Sequence, residues 1–439
     1  MSTKTQRNKP DNFGRDLMRL RAPHGWTGGQ YSVYRAILGV YLCVHFVHLI
    51  PWGAEMFSNE GVLADAATSP LAFVFPNVLS FFDPPWFVTG LLVAAAVGSL
   101  AFAAGFKDRL VAVGLWYVWA CLFGRNPLIS NPSLAFVGWM LLLHAATPGK
   151  PFGAWDARGR TDPQGGWKLP RSYFSAAWIL MAVGYTYSGY TKLISPSWQD
   201  GTALAEVLES PLARDTALRE FLLGLPDVLL QAATYSTLAL ELFALPLALV
   251  GRLRPWLWLS LVGLHLGILS TVAFADLTVG MLTVHLLTFN PAWIGKLRDG
   301  ALDHVFYDGS CGLCQRTVRF LLAEDPAEPY AFRFAPLASD AFARRLGEAA
   351  PERSVSEMPD SVIVITERGE VLERSEAILY LGKRLGGLWR VLATAASWVP
   401  RGVRDRVYDG VAAIRHKLFE RPKEACPMMP PEVRGRFDW

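Results

Sequence analysis

Between Tyr31 and Ile294 the chain keeps returning to apolar stretches near the roughly 20 residues that a helix needs to cross a bilayer, and past Ile294 the pattern stops. Lipid offers no partner for a backbone N–H or C=O, so a region patterned this way has to satisfy its backbone internally, as helices. The stretches are Tyr31 to Ile50, Trp86 to Phe106, Leu110 to Phe123, Leu134 to Ala146, Tyr173 to Leu193, Val228 to Val250, Trp256 to Phe274 and Leu277 to Ile294. They predict a multi-pass α-helical membrane bundle of about eight spans, the third and fourth short and the last two separated only by Ala275 and Asp276. Composition agrees, since 52% of the 439 residues are hydrophobic and only 18% charged. Charge is nearly absent from these segments and dense in the last third, so the formal net charge of +4 points to no nucleic-acid partner. Five Cys are too few for a disulfide scaffold.

Loop charges orient the bundle. Lys and Arg gather in the N-terminal tail and in alternate loops, at Lys107/Arg109, Lys150 to Arg171, Arg252/Arg254 and Lys296/Arg298. The loop from Pro51 to Pro85 carries Glu55, Glu60, Asp65 and Asp83 with no base, and the Ser195 to Asp227 loop has more acids than bases. A multi-pass integral membrane protein of the bacterial inner-membrane type is expected, with both termini cytosolic. Residues 1–29 form a basic tail without a cleavable signal, residues 30–295 the membrane domain, and residues 301–439 a soluble domain. In the tail, Phe13, Leu17, Met18 and Leu20 alternate with Arg15, Arg19 and Arg21, as in a helix lying on an anionic leaflet, though a plain cytosolic tail has the same composition.

At the junction stands Tyr307-Asp308-Gly309-Ser310-Cys311-Gly312-Leu313-Cys314. The apolar run Asp303 to Tyr307 reads as a buried strand and Gln315 to Ala323 as a helix, with Gly309 and Ser310 turning between them. Cys311 then falls at a helix N-terminus, where orphan N–H groups and the helix dipole favour a thiolate, and Cys314 lies one turn on, within reach for a disulfide. Half a zinc site and a pair of inert thiols are the competing readings; zinc normally brings a second Cys/His pair, and only Cys426, His304 and His416 are near in sequence. Further on come a strand at Tyr330 to Phe334, a helix from Ser339, a strand at Ser361 to Thr366, a turn at Glu367 to Glu370, a short returning strand at Val371 to Glu373 and a helix from Ser375 to Leu385.

Asp308-Gly-Ser-Cys311-Gly-Leu-Cys314, with Arg374-Ser375-Glu376-Ala377 and the tail Tyr408 to Phe419 followed by Cys426, resembles the DCC family of thiol-disulfide oxidoreductases, named for its Asp-x-x-Cys-x-x-Cys signature. The resemblance implies a small thioredoxin-like α/β domain, with Cys311 as attacking thiolate, Cys314 as resolving thiol and Asp308 as a nearby acid for proton handling. A turn-capping role explains Asp308 equally well. In a thioredoxin-like fold Pro359, just before the strand at Ser361, would stand against the dithiol.

The apolar region carries its own resemblance. Tyr185-Thr-Tyr-Ser-Gly-Tyr-Thr-Lys192-Leu193, then Trp198, Gly201, Glu241-Leu-Phe-Ala-Leu-Pro246 and His265, is similar to the horizontally transferred transmembrane domain shared with vitamin K-dependent gamma-carboxylases. That similarity implies Lys192 as the base that deprotonates a hydroquinone. An amine in apolar surroundings loses stabilisation of its charged form, which suits a base, and a lysine at a helix end also simply snorkels to the interface. Glu241 within a span should be neutral or paired. His265, His285 and Glu241 are candidate contacts for a quinone head group, as are His45 and His48 one turn apart; hydrogen bonds among the helices themselves would use the same side chains. Thr191 replaces a second lysine and Pro132 follows Asn131 where carboxylases have histidine, so gamma-carboxylation of glutamate is not expected.

The resulting expectation is a membrane-anchored thiol-disulfide oxidoreductase working through Cys311 and Cys314 on a thiol or disulfide partner, its membrane domain holding a quinone or another lipophilic redox partner. No metal is expected. The alternatives are a processing or immunity-type membrane protein for a small secreted peptide, and a quinol-epoxidising, carboxylase-like enzyme centred on Lys192.

Overall fold

Backbone hydrogen bonding turns each of the eight apolar stretches into helix. The computed structural model describes residues 24–71, 74–158, 167–295, 301–325, 330–359, 361–418 and 431–438. The expectations for the N-terminal tail up to residue 23, for Lys296 and Arg298, and for Cys426 lie outside these residues. The chain divides into two units, one of residues 34–149 and 170–289 with the N-terminal tail, the other of residues 24–33, 150–169 and 290–439.

Among the described residues, the named elements of the first unit are all helices. Its long helices are α1 (Gly28–Leu49, whose first turns count with the second unit), α2 (Pro85–Ala104), α3 (Asp108–Arg125), α4 (Pro132–Ala146), α5 (Arg171–Lys192), α6 (Asp227–Leu242), α7 (Arg254–Thr271) and α8 (Ala275–Thr288). Among the described residues, two segments, Gly28–Phe57 and Pro85–Ala104, are long and apolar enough to cross a membrane, and Pro132–Ala146 and Ala275–Thr288 are shorter apolar helices. The other stretches differ for visible reasons. Helix α3 bears Asp108 and Arg109 at its start and Arg125 at its end, and α5 ends in a polar run from Tyr185 to Lys192. The stretch from Val228 to Val250 is not one helix: it breaks at Phe243, and Ala244–Leu249 continues as a separate short helix. The hydroxyl of Thr186 on α5 accepts from the Leu245 N–H beyond the break (3.0 Å).

The second unit is built on a four-stranded mixed sheet of order β2-β1-β3-β4, with β1 Asp303–Tyr307, β2 Phe332–Pro336, β3 Ile363–Ile365 and β4 Val371–Glu373. Strand β1 is buried along its whole length because it is central, parallel to β2 and antiparallel to β3. Alternation divides its side chains between two cores. Val305, Tyr307, Phe332, Phe334, Val362 and Val364 face α9 (Gly312–Glu324) and α11 (Arg374–Leu385). Phe306, Ala335, Ile363 and Ile365 face α10 (Asp340–Ala349). The hairpin from β3 to β4 closes at Gly369, whose φ of 83° is the left-handed value that glycine adopts freely. Helices α12 (Gly387–Ser397) and α13 (Arg401–Leu418) follow. The segment after them runs along β2, where Phe334 N–H donates to Arg436 C=O and Asp438 N–H donates to Phe334 C=O, both at 2.9 Å. The expected strands lie within two residues of those found, β3 being shorter than Ser361 to Thr366.

Candidate active site

The turn after β1 is held by Asp308. Its carboxylate accepts from the Ser310 N–H and from the Ser310 hydroxyl, both at 2.8 Å, and its carbonyl accepts from the Cys311 N–H (3.2 Å). Gln315 donates back to the Gly309 carbonyl (3.1 Å), which closes the loop over the first turn of α9. Cys311 is therefore the N-cap residue, in extended backbone conformation, and the Cys314 N–H donates to its sulfur at 3.3 Å. A cap normally offers an oxygen; a thiolate serves the same orphan N–H and gains from the positive end of the helix. Both cysteines are free and buried, in one apolar core with Val305, Val318, Val362 and Leu381.

Helix α13 supplies residues that sequence reasoning did not assign. Arg415, 4% exposed at its side chain, has its guanidinium 3.6 Å from the second oxygen of Asp308. Two turns earlier, the Tyr408 hydroxyl accepts from the Val362 N–H (3.0 Å). Seven-residue spacing puts Tyr408 and Arg415 on one face of the helix, the only sequence signal that joined them. Burial raises the Tyr408 hydroxyl's pKa, and charge on Cys314 adds to that. The Cys314 thiol is pushed up to about 12, by burial first and then by its hydrogen bond to Cys311 and the charge there, with Arg415 pulling the other way and Asp308 adding to the rise. One thiol of the pair is thus built to keep its proton. Before and along β3, Met358 packs into the opposite core, while Val362 and Val364 join the core that holds the cysteines.

In the helical unit, Lys192 and Glu241 are brought together as an ion pair. The Lys192 amine also donates to Ser188 (2.9 Å) and lies 4.9 Å from the Trp198 ring centroid. Gly189 makes the pair possible, because a Cβ there would stand 2.5 Å from the backbone nitrogen of Leu242. His265 and His285 converge on Tyr185, whose hydroxyl oxygen lies 2.6 Å and 2.8 Å from their Nε2 atoms. Tyr185 has one proton, so it donates to one imidazole and accepts from the other, leaving both buried Nδ1 atoms without a partner. None of these side chains lines a cavity of about 550 Å³ in this unit. Its walls are apolar and aromatic, among them Phe57, Trp119 and Phe274, and its polar end is Asp276. That carboxylate receives His45 (2.7 Å), Asn131 (2.9 Å) and Tyr41 (3.2 Å). His48 lines the same cavity. An acid between two apolar stretches was the signal for this cluster. Among the described residues, no group of three or more His, Cys, Asp or Glu is placed to hold a metal ion.

Comparison with known proteins bears on the second unit. Residues 305–421 match the model of a family described as DCC1-like thiol-disulfide oxidoreductase. An uncharacterized protein of Bacillus subtilis (strain 168), YuxK, is 31% identical over 135 residues, which cover 30% of this chain and 91% of that protein. A chloroplastic DCC family protein of Arabidopsis thaliana is 29% identical over 124 residues, 28% of this chain and 68% of that protein. No solved structure matches.

Proposed function

The chain belongs, through its C-terminal domain, to the DCC1-like thiol-disulfide oxidoreductase family, and on that premise we propose that Cys311 and Cys314 exchange electrons with a partner thiol or disulfide. The observation that carries this is the Cys314 N–H on the Cys311 sulfur at the start of α9. Cys311, as the cap, is the attacking thiolate. It displaces one sulfur of a partner disulfide as thiolate and leaves a mixed disulfide. Cys314 then gives up its proton and attacks the Cys311 sulfur, which releases the second partner thiolate and leaves the Cys311–Cys314 disulfide. Asp308 orders the turn and is the nearby carboxylate for that proton. The strand order β2-β1-β3-β4 with α9 and α11 on one face and α10 on the other is what supports a thioredoxin-like reading of the domain.

The helical unit is proposed to sit in the bilayer with both termini cytosolic. In support, α1 turns Ile37, Val40, Val44 and Val47 outward and α2 turns Val93, Val97 and Leu100 outward, stripes that water would disfavour. A quinone is the lipophilic redox partner proposed for this unit. The aromatic walls round Asp276 fit such a ring, and Tyr41, His45 and Asn131 would orient its polar end. Bound, it would accept or supply an electron pair. Lys192, as the base of the carboxylase-like reading, would have to release Glu241 first.

The test is a redox equilibration of the full-length protein in glutathione or dithiothreitol buffers with thiol trapping. A reversible two-electron couple between roughly −200 and −300 mV, lost in Cys311→Ser, is expected. Failure to form any disulfide would remove the proposal.

A further inference from the structure

The apolar residues of the second unit are not all in its cores. Along α13, Val403, Val407, Val411 and Ile414 recur at four-, four- and three-residue intervals, one stripe of a helix, and all are exposed, Val407 by 63%. Two further apolar side chains are exposed just before it, Trp398 (82%) at the corner between α12 and α13 and Leu392 on α12. The opposite face of α13 is occupied: Tyr408 and Arg415 lie toward the dithiol, and Asp405 accepts from Ser375. Leaving out Arg415, which lies on the dithiol side, there are three arginines against two aspartates from Trp398 to Ile414, and Arg401 also meets Glu376 (3.1 Å). Both acids are engaged, Asp405 by Ser375 and Arg401 (3.4 Å) and Asp409 by Arg374 (3.7 Å). Arg406 is exposed beside the stripe.

We propose that the outer face of α12 and α13 is a membrane-surface seat that takes an anionic lipid leaflet as its partner. An exposed aliphatic stripe flanked by arginines, with a tryptophan at its end, is the composition of a helix lying in the headgroup layer. Charge complementarity selects anionic lipid over a second copy of this chain, whose own face would present the same excess of arginine. A bilayer is also within reach of a chain with two helices long and apolar enough to cross one. Because the same helix carries Tyr408 and Arg415, the element that rests on lipid is the element that covers Cys311 and Cys314.

The full-length protein, with an environment-sensitive fluorescent amino acid at position 407, is reconstituted into phosphatidylcholine vesicles with and without phosphatidylglycerol, some with brominated acyl chains. A blue-shifted emission quenched at least about twofold by the brominated chains is expected, stronger with phosphatidylglycerol and weakened by salt. The probe at 411 should repeat the result, and a probe at the exposed Glu352 should stay unquenched. A probe at 407 that reports water in both lipid mixtures overturns the proposal. So does a blue shift without quenching that grows with protein concentration, since that places a second copy on the stripe.

Discussion

Because Cys314 keeps its proton, reduction of the Cys311–Cys314 disulfide takes up two electrons and at least one proton. The midpoint potential of the full-length protein should then fall by no less than about 30 mV per pH unit. The window follows from Cys314: its thiol is held up to about 12, so it stays protonated in the reduced form throughout the neutral range. Replacing Arg415 with Met tests the electrostatics. Its guanidinium is buried beside Asp308, at 3.6 Å, and lies on the side of the dithiol. A unit charge acting across roughly 10 Å at an effective dielectric constant near 20 is worth about 1.7 kcal/mol, a little over one pK unit. For a two-electron couple that is about 35 mV. The sign is fixed, because losing a cation and leaving the Asp308 carboxylate uncompensated both disfavour the thiolate of the reduced form. The Arg415→Met potential should be more negative, with Arg415→Lys between the two proteins. Potentials would be read by thiol trapping across pH 6 to 9. A wild-type slope well below about 30 mV per unit, or an Arg415→Met protein with unchanged potential, would refute the reasoning.

Cys314→Ser should accumulate a mixed disulfide through Cys311 when offered oxidised glutathione, seen as a mass addition that dithiothreitol removes; Cys311→Ser should accumulate far less. In the helical unit, Lys192→Met leaves Glu241 buried and uncompensated, a change worth about 3–5 kcal/mol for a buried pair. Its melting temperature in detergent should drop by several degrees, and the Lys192→Met/Glu241→Gln double variant should recover most of the loss; equal losses in both would show that the pair is not the cause. Gly189→Val forces atoms into the backbone at Leu242 and should destabilise by about 1–3 kcal/mol, read in the same melt.

The α/β domain was legible because its signals are local. Glycine and serine between an apolar run and an amphipathic one place Cys311 at a helix start, and the structure puts it at the N-cap, with Asp308 serving the turn as its residue type allows. Arg415 and Tyr408 were not legible as neighbours of the dithiol, because they lie about a hundred residues away and reach it only through the packing of α13. The helical unit shows the same division. Apolar runs predicted helices, yet apolarity is uniform around such helices and says little about which faces meet. The break at Phe243, which places Glu241 at a helix end, and the close approach at Gly189, which lets it reach Lys192, are tertiary facts. For the same reason the histidines sort in a way their spacing could not foretell: His265 and His285 close on Tyr185, while His45 turns to Asp276 at a cavity of this unit. A polar residue in an apolar run announces that it needs a partner, and only packing decides whether that partner is another helix or a ligand. By that criterion Asp276, which has three protein donors and still borders open space, is where a ligand of the helical unit should be sought before Lys192, whose charge is already met.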